Sequence, residues 1–325
     1  MQIVAADVGA TKTRVALVDT IAPGLPIVAA ERFENAHAGG LEALVVEYTT
    51  RHRVRPDGVA IAVAAPVAGR RARMTNLSWH IDADEIAARL GCARVCLLND
   101  FHAVALGIAH LSDGGRVCIQ AGVRIAGGVT AVLGAGTGLG EAMVVASPSG
   151  PIVVPSEGGH ADFAPTDELQ IDLLRFALRR HDHVSYERVC SGIGWPLLYE
   201  FLRSRDPDSE SRDVRDALAR GDDAGATIGT YGVDRLDVLC GRTLDLFVDI
   251  YGAEAGNLAL KALPRGGLFV AGGIAPRILG RMTDGRFLRA FRAKGRYEAL
   301  LASIPVDVVT DPDVALRGAA SCLLG

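Results

Sequence analysis

The feature that most constrains the fold is the stretch Arg94–Ala103, where an apolar run of strand type ends abruptly at Asn99-Asp100. A helical pattern follows, with apolar residues at spacings of three and four: Phe101, Val104, Ala105, Ile108 and Leu111. Ligands of α/β sheets bind at the carboxyl ends of such strands. The stretch therefore predicts an α/β fold with Asp100 at a ligand-binding edge. The alternative is that Asn99 or Asp100 only caps the helix.

Composition places the chain among ordinary globular proteins. Its 325 residues suffice for two domains, and 49% of them are hydrophobic and 22% charged. A net charge of −4 without runs of Lys or Arg argues against nucleic acid or an anionic membrane as partner. No stretch reaches the roughly 18 consecutive apolar residues of a membrane span, and no signal-peptide pattern follows Met1. We therefore expect a cytoplasmic protein with neither nucleic-acid nor membrane partners.

The cysteines are scattered along the chain and form no C-x-x-C pair, so neither a zinc knuckle nor a redox motif is indicated. We expect buried free thiols, which fits a reducing cytoplasm. The six residues are Cys92, Cys96, Cys118, Cys190, Cys240 and Cys322.

Two strand–turn–strand segments carry glycine and threonine. The first turn is Val8-Gly9-Ala10-Thr11-Lys12, and it offers backbone N–H groups and a hydroxyl to a phosphate, with Asp7 as a carboxylate near a metal. The second is Gly134-Ala135-Gly136-Thr137-Gly138-Leu139-Gly140, whose four glycines indicate a close approach to the backbone. Its spacing fits neither a dinucleotide fold nor a Walker ATPase. The pair predicts two phosphate-facing loops, one per domain, and plain hairpins are the alternative.

A polar loop and a later carboxylate complete the candidate site. Glu157 and His160 flank Gly158-Gly159, whose unusual dihedrals would let both side chains point into one cleft. We favour recognition of hydroxyls. Metal ligation with Asp162 is the alternative, although the spacing matches no helix-borne zinc motif. Taken alone, Glu187 in the segment 184–189 is interpreted as a solvated charge on a helix.

The remaining pattern supplies framework elements. Helices are predicted at 41–48, 83–90, 167–180, 233–263 and 314–324, and the last of these is expected to return to the first domain. Residues 203–226 are expected to be an exposed helix and loop. Strands are predicted at 27–33, 59–64, 267–271 and 305–309, and the third ends in Gly272-Gly273 before a helix that starts at Ile274.

Taken together and in this order, the motifs resemble those of bacterial ATP-dependent glucokinases of the hexokinase-like, actin-fold type. The likeness runs essentially end to end. The chain departs from the family pattern at Ala10, where the family turn usually has a second glycine. It lacks the zinc-binding cysteine cluster of the related repressor and kinase family. The matching segments are Asp7–Thr11, Leu98–Phe101, Gly134–Gly140, Glu157–Pro165, Val184–Gly192 and Val270–Arg277.

The resemblance implies a two-domain, actin-like or ribonuclease H-like ATPase fold with the active site in the interdomain cleft. Its small α/β domain would be residues 1–110, completed by the C-terminal helix 312–325, and its large α/β domain residues 111–311. It further implies transfer of phosphate from ATP, with Mg²⁺, to the 6-hydroxyl of glucose in glycolysis, and a homodimer. A kinase for another hexose or N-acetylhexosamine, or a non-catalytic sugar-sensing regulator, is the alternative.

The same resemblance assigns roles residue by residue. Asp100 would be the catalytic base, and Asp7 would hold Mg²⁺ through water. The sugar would be bound by Asn99, Asp100, Glu157, His160 and Glu187. The nucleotide would be bound by Gly9, Ala10, Thr11, Lys12, Gly136, Thr137 and Gly138 in the two turns, and by Gly272 and Gly273 in the adenosine motif.

Overall fold

The computed structural model describes residues 1–74 and 77–324 and divides into two compact units. Gly325, the last residue of the predicted segment 312–325, lies outside the described residues. The first unit is Met1–Arg116, Val144–Val154 and Thr310–Gly325, and the second is Val117–Met143 and Pro155–Val309.

Strands and helices alternate along much of the chain. The strands are β1 (Gln2–Val8), β2 (Lys12–Asp19), β3 (Ile27–Glu34), β4 (Gly58–Val63), β5 (Val67–Ala68), β6 (Arg71–Arg73), β7 (His80–Asp82), β8 (Val95–Asn99), β9 (Arg116–Gln120), β10 (Thr130–Ala135), β11 (Leu139–Val145), β12 (Ile152–Ser156), β13 (Gly267–Ala271) and β14 (Val306–Val309). The α-helices are α1 (Leu41–His52), α2 (Ala83–Leu90), α3 (Asp100–Gly107), α4 (Glu168–Ala177), α5 (Tyr186–Val189), α6 (Trp195–Arg205), α7 (Arg212–Ala219), α8 (Ala224–Val233), α9 (Val238–Ala262), α10 (Leu279–Met282), α11 (Arg286–Arg292), α12 (Glu298–Ala302) and α13 (Val314–Ser321).

The main sheet of the first unit has the strand order β3-β2-β1-β4-β8. Strand β1 is antiparallel to β2 and parallel to β4, and β4 is parallel to β8. The register aligns Val8, Val63 and Asn99 across the carboxyl ends of the three parallel strands. This alignment brings the ends of β1 and β8 to the same edge of the sheet.

Both faces of this sheet are buried, so the alternation of side chains along β1 assigns them to two clusters. Val4 and Ala6 pack in the cluster that includes residues of α1 and α2. Ile3 and Ala5 pack in the cluster that includes residues of α3 and α13. Asp7 shares the parity of Ile3 and Ala5, so its side chain belongs to the face that α3 and α13 cover.

Helices α3 and α13 cross closely because each presents a glycine to the other. A Cβ at Gly107 would overlap the carbonyl oxygen of Val314, and a Cβ at Gly318 would overlap that of Ala103. Such contacts leave no room for any side chain at either position. The predicted return of the terminal helix to the elements of the first unit is confirmed, and it supports the helix that begins at Asp100.

The expectation of buried free thiols is only partly correct. Cys92, Cys190 and Cys240 are buried and free, but Cys118 is exposed. Cys96 on β8 and Cys322 after α13 form a disulfide across a sequence separation of 226 residues. The prediction was wrong for this pair because sequence spacing does not show which distant cysteines the fold brings together.

The second unit is built on a sheet with the order β12-β11-β10-β13-β14-β9, in which β10, β13 and β14 are parallel. Its core surrounds α9, where residues on every side of the helix are buried. The predicted helix 233–263 begins five residues later, at Val238, because Val233 ends α8 and Asp237 caps α9 by accepting a hydrogen bond from Cys240 N at 2.6 Å. Among the described residues, no helix has the length and apolar character needed to cross a bilayer.

Two further local predictions were wrong. The segment 203–226 contains α7, whose Val214 is fully buried, so it is not simply an exposed helix and loop. The helix predicted from Ile274 begins at Leu279, after a run of turns over 272–278. In both places tertiary packing overrides a pattern that was read over a short window.

Candidate active site

Asn99 and Asp100 stand at the junction of β8 and α3. Asn99 is the N-cap of the helix, because its Oδ1 accepts hydrogen bonds from Phe101 N at 3.0 Å and His102 N at 3.2 Å. Its Nδ2 donates to Asp100 Oδ1 at 3.0 Å and to Ala65 O at 3.4 Å. For Asn99 the capping interpretation is therefore correct in this structure, and contact with a sugar remains a prediction.

Asp100 is the first residue of α3 and has a fixed orientation. Its Oδ1 accepts from Phe101 N at 2.8 Å and from Asn99 Nδ2, so both bonds from neighbouring residues hold the same oxygen. Burial raises the pKa of Asp100, while these two hydrogen bonds oppose that shift. The arrangement orients Oδ2 and keeps the carboxyl more basic than an exposed aspartate.

Asp7 lies at the carboxyl end of β1, on the edge that also bears Asn99. Burial, followed by the negative charge of Asp100, raises the pKa of Asp7 to about 6, with Arg14 acting in the opposite direction. Arg14 itself pairs with Asp313 at 2.5 Å. Two carboxylates that repel each other at one edge form a site that favours a cation.

The side chain of Asn35, whose role the sequence did not predict, supports the first turn. Gly9 N donates to Lys12 O at 3.0 Å, and Gly9 O accepts from Asn35 Nδ2 at 2.9 Å. Asn35 is buried, and its Oδ1 accepts from Thr13 Oγ1 at 2.7 Å. Asparagine is common in turns, but nothing in its local sequence indicates that it supports a loop 26 residues away.

Three residues of the first turn, Ala10, Thr11 and Lys12, have few contacts with other residues. Ala10 does not adopt a positive φ, so the alanine that replaces the family's second glycine fits this backbone. Lys12 pairs with Glu34 at 3.2 Å near the surface, and Thr11 is exposed. A contact of either residue with a phosphate remains a prediction.

The second turn is confined to Gly136-Thr137-Gly138, because Gly134, Ala135, Leu139 and Gly140 belong to β10 and β11. Gly136 N donates to Gly138 O at 2.8 Å, and Gly136 O accepts from Gly192 N at 2.8 Å. A Cβ added at Gly136 would meet nothing within 4 Å. The outer side of this turn is therefore open to a ligand.

Gly272 and Gly273 follow β13, the strand that pairs in parallel with β10. Gly272 has φ +82° and packs against Ala135 O, which only glycine allows. Gly273 has open space on its Cβ side. The predicted adenosine motif and the second turn thus lie at the same edge of one sheet.

Glu157, His160 and Glu187 lie close together in the second unit. His160 Nε2 is 4.0 Å from Glu157 Oε2, and His160 Nδ1 is 4.0 Å from Glu187 Oε1. The Glu157 side chain is 92% exposed, whereas that of Glu187 is only 24% exposed and accepts from Leu139 N at 2.9 Å. Glu187 is therefore not a solvated helix charge. Glu187 joins the second turn to His160, one of the predicted sugar residues. Its carboxylate lies where a Cβ on Gly138 would be, and its Oε1 is 4.0 Å from His160 Nδ1.

The segment around His160 is fixed by backbone contacts with α5. Tyr186 N donates to Ala161 O at 3.0 Å, and Phe163 N donates to Val184 O at 2.9 Å. Asp162 contacts His183 at 2.8 Å instead of joining Glu157 and His160. Over residues 1–74 and 77–324, no three His, Cys, Asp or Glu side chains are grouped so that they could hold a metal ion.

The predicted site residues divide between the units. The first unit contains Asp7, the turn 9–12, Asn99 and Asp100, and the second contains all the others. The sequence analysis assigned no role to Asn35 or Gly192, each of which supports one of the two turns. Only Gly192, in a Ser-Gly-x-Gly segment, had a recognisable signal in the sequence.

The chain is similar to known proteins in both sequence and structure. The glucokinase family model matches residues 4–325. A glucokinase of Nostoc punctiforme is 40% identical, with 98% of each chain aligned. The crystal structure of a glucokinase from an Antarctic psychrotroph is 32% identical, has a TM-score of 0.86, and covers 99% of this chain and 98% of its own.

A more distant structure shows the fold alone. The ROK family glucokinase from Streptomyces griseus, solved in complex with glucose and AMPPNP, is 19% identical with a TM-score of 0.66, and 99% of each chain is aligned. These likenesses confirm the predicted class, a two-domain α/β fold of the actin-like ATPase type. By its family model and its relatives, the chain belongs to the glucokinase family.

Proposed function

We propose that this chain transfers the γ-phosphoryl group of ATP to the 6-hydroxyl of glucose, giving glucose 6-phosphate and ADP. Membership of the glucokinase family supports the reaction, and the Streptomyces relative carries glucose and an ATP analogue. The observation that carries the proposal is the fixed carboxylate of Asp100, at the end of β8 and on the same edge as Asp7.

Asp100 acts as the general base. Its Oδ1 is held by two hydrogen bonds, which leaves Oδ2 to accept the proton of the 6-hydroxyl as that oxygen attacks the γ-phosphorus. The bond from phosphorus to the bridging oxygen breaks, and ADP leaves with the electron pair. A positioned base contributes roughly 10²–10⁴-fold, and a pKa raised toward neutrality increases its efficiency.

Glucose carries no charge, so its hydroxyls must be recognised by hydrogen bonds. Glu157, His160 and Glu187 supply acceptors and donors, and each glutamate lies 4.0 Å from His160. Asn99 adds an amide after a small rearrangement of its cap. A sugar that lacks one hydroxyl leaves a buried polar group without a partner, which costs about 1–3 kcal/mol.

The two turns and the Gly272-Gly273 motif bind the nucleotide. Gly136 and Gly273 have nothing within 4 Å on their Cβ side, so a phosphate or a flat ring can approach the backbone there. Phosphoryl transfer depends mainly on positioning and on stabilising charge at the phosphoryl oxygens. Backbone N–H groups of residues 9–12 and 136–138, with the hydroxyls of Thr11 and Thr137, provide that stabilisation.

A divalent cation fits the first unit. Burial and then the charge of Asp100 raise the pKa of Asp7, and the opposing effect of Arg14 does not cancel that shift. Mg²⁺ is ordinarily held by one or two carboxylates, waters and substrate phosphates, so Asp7 would hold it through water. When bound, Mg²⁺ neutralises charge on the phosphoryl oxygens.

The test is sugar-dependent release of ADP by the wild-type protein and by Asp100→Asn, with a panel of glucose, mannose, fructose and N-acetylglucosamine. We expect glucose to be the best substrate and Asp100→Asn to lower kcat by roughly 10²–10⁴-fold while glucose binding persists. Near-normal turnover of Asp100→Asn would refute the base. Faster turnover of another sugar would reassign the substrate, and glucose binding without ADP release would indicate a regulator.

The family resemblance also supports a cytoplasmic homodimer that acts in glycolysis. Size-exclusion chromatography with light scattering tests the dimer, for which a mass twice the 34.1 kDa of the chain is expected.

A further inference from the structure

Two glutamates that the proposed reaction does not use are buried side by side in the second unit. Glu141 on β11 is 3% exposed and Glu254 in the middle of α9 is fully buried. Acidic side chains are almost never buried this completely unless they are paired. The pair therefore needs an explanation.

The two carboxyl groups are poorly compensated by the surrounding residues. Glu141 Oε1 and Glu254 Oε1 are buried, and neither has a hydrogen-bond partner in the described part of the chain. Lys261 Nζ lies 3.7 Å from Glu254 Oε1, which balances one negative charge but not two. Burial, followed by the charge of Glu254, raises the pKa of Glu141 to about 8. A neutral Glu141 relieves the repulsion between the two buried carboxyl groups.

A direct contact links Glu141 to the sugar loop, Glu157–His160. Glu141 Oε2 occupies the position that a side chain on Gly158 would take, since a Cβ there would overlap the carboxylate. Gly158 N donates to Ser156 Oγ at 3.0 Å, which keeps Gly158 in this place. The Glu141 carboxylate therefore packs directly against Gly158, the residue that follows Glu157.

A second connection runs through Glu254. Its Oε2 accepts from Asn257 Nδ2 at 2.8 Å, and the same Nδ2 is 2.8 Å from Tyr186 Oη. Tyr186 N in turn donates to Ala161 O at 3.0 Å, and Tyr186 directly precedes Glu187. The acid pair thus contacts the sugar loop at Gly158 and is connected, through Asn257 and Tyr186, to Ala161 directly after that loop.

The titratable and charged groups around the pair come from α5, α9 and the residues after α11. Lys294 Nζ, the second cation, donates to Asn257 Oδ1 at 2.6 Å and to Ala253 O at 2.9 Å. Burial raises the pKa of Cys190, of Tyr186 and of Tyr251, so these three are neutral at the pH values considered below. The groups are Tyr186, Cys190, Tyr251, Glu254, Lys261 and Lys294.

We propose that Glu141 is a positioning residue for glucose: its uncharged carboxyl, buried beside Glu254 and packed against Gly158, holds the loop Glu157–His160 in its binding geometry, and ionisation of that carboxyl weakens sugar binding. The inference rests on the proposed function. When both carboxylates are charged they repel each other in a site with little water, and the Glu141 carboxylate must move away or become hydrated. Either change displaces Gly158, and with it Glu157 and His160.

The first test follows the KM for glucose of the wild type and of Glu141→Gln from about pH 7 to about pH 9.5, with ATP saturating. For the wild type we expect this KM to rise about fivefold or more while the KM for ATP stays level, because the nucleotide residues do not contact the pair. Glu141→Gln keeps the shape and a donor but has no proton to lose. Its KM for glucose should match the wild type at about pH 7 and stay level above it.

Two further variants separate positioning from folding. Glu141→Ala removes the support at every pH and should raise the KM for glucose throughout the range. Glu298→Gln makes the same chemical change at an exposed site on α12 and should retain the alkaline rise.

A measurement on the wild type alone covers the case in which the variants do not fold. Calorimetric titration with glucose at about pH 8.5, in buffers of different ionisation enthalpy, should show uptake of a fraction of a proton. No proton uptake, or an equal alkaline rise in Glu141→Gln, overturns the positioning role. Absence of glucose-dependent ADP release by the wild type at about pH 7 overturns the proposed function and this inference with it.

Discussion

The two glycine–threonine turns look alike in sequence but are supported in different ways. The first, residues 9–12, is held by both the side chain and the backbone of Asn35, whose Nδ2 donates to Gly9 O and whose N donates to Thr11 O at 2.9 Å. The second, residues 136–138, is held by backbone, because Gly192 N donates to Gly136 O and Ile193 N to Thr137 O at 3.4 Å. A carboxylate adds to the second turn, since Glu187 accepts from Leu139 N.

The difference explains where glycine is required. The first turn accepts alanine at position 10, because that residue does not adopt a positive φ. The second turn has no space for a side chain at position 138, because a Cβ at Gly138 would overlap Glu187. The second turn is therefore also the one that links the predicted phosphate and sugar residues.

The two turns differ most in the residues before them. Asp7 precedes the first turn, and no carboxylate directly precedes the second. Asp7→Asn should lower kcat by roughly 10²–10³-fold if Asp7 holds the metal. The same change should stabilise the ligand-free protein near neutral pH by roughly 1–3 kcal/mol, because the raised pKa of Asp7 means that its charged form is disfavoured in the fold.

The upward direction of the pKa shift determines the pH range over which Asp7 affects stability. Wild-type Asp7 contributes stability below its unfolded pKa, and that contribution is lost as the pH rises through its folded pKa of about 6. Denaturant unfolding of both proteins at about pH 4 and about pH 7 measures it. A difference in unfolding free energy that does not change between these pH values would contradict the argument.

Alanine at the two ends of the second turn should give different results. Gly138→Ala places a methyl group against Glu187, so we expect a loss of about 1–3 kcal/mol in stability and a rise of about tenfold in the KM for glucose. Gly136→Ala points into open space, so it should raise the KM for ATP with little loss of stability. Steady-state kinetics and thermal unfolding of both variants measure this, and identical profiles would mean that Glu187 does not link the two functions.

Support of the first turn is tested at Asn35. Asn35→Ala leaves Gly9 O and Thr13 Oγ1 without partners, so a loss of about 1–3 kcal/mol and a rise of a few-fold in the KM for ATP are expected. Thr13→Val removes one of the two bonds and should cost less. Equal free energies of unfolding for Asn35→Ala and the wild type in denaturant would contradict support of the first turn by this side chain.

The smallest effect is expected from restoring the family glycine. Ala10 already fits its backbone, so Ala10→Gly should only increase the freedom of the unfolded chain and cost about 0.5–1 kcal/mol. Its KM for ATP should stay within about twofold of the wild type. A large gain in ATP affinity would show that alanine constrains the turn.

Local patterns predicted most elements correctly because their signals lie within a few residues. The passage from β8 into α3 follows from an apolar run, a capping Asn99 and a helical period. The glycine turns followed from composition at 9–12 and 136–138. Element ends were less reliable. The start of α9 depends on Asp237, whose capping role competes with a periodic pattern that continues before it.

Contacts between distant residues were not predictable. Asn35, Glu141 and Glu254 look like ordinary loop, strand and helix residues. Only the fold brings Asn35 to the first turn, Glu141 to Gly158 and Glu254 to Glu141. The pairing of Cys96 with Cys322 is of the same kind. Polar residues buried by tertiary packing leave no periodic signal, since burial depends on elements far away in the chain.

The glycine crossing of α3 and α13 has a consequence for biosynthesis. Helix α13 is translated after all of the second unit, yet it completes the core against which α3 rests, and Asp313 before it pairs with Arg14. On the ribosome, the segment that bears Asp100 therefore waits for its partner until translation has passed residue 321, while the second unit can already fold.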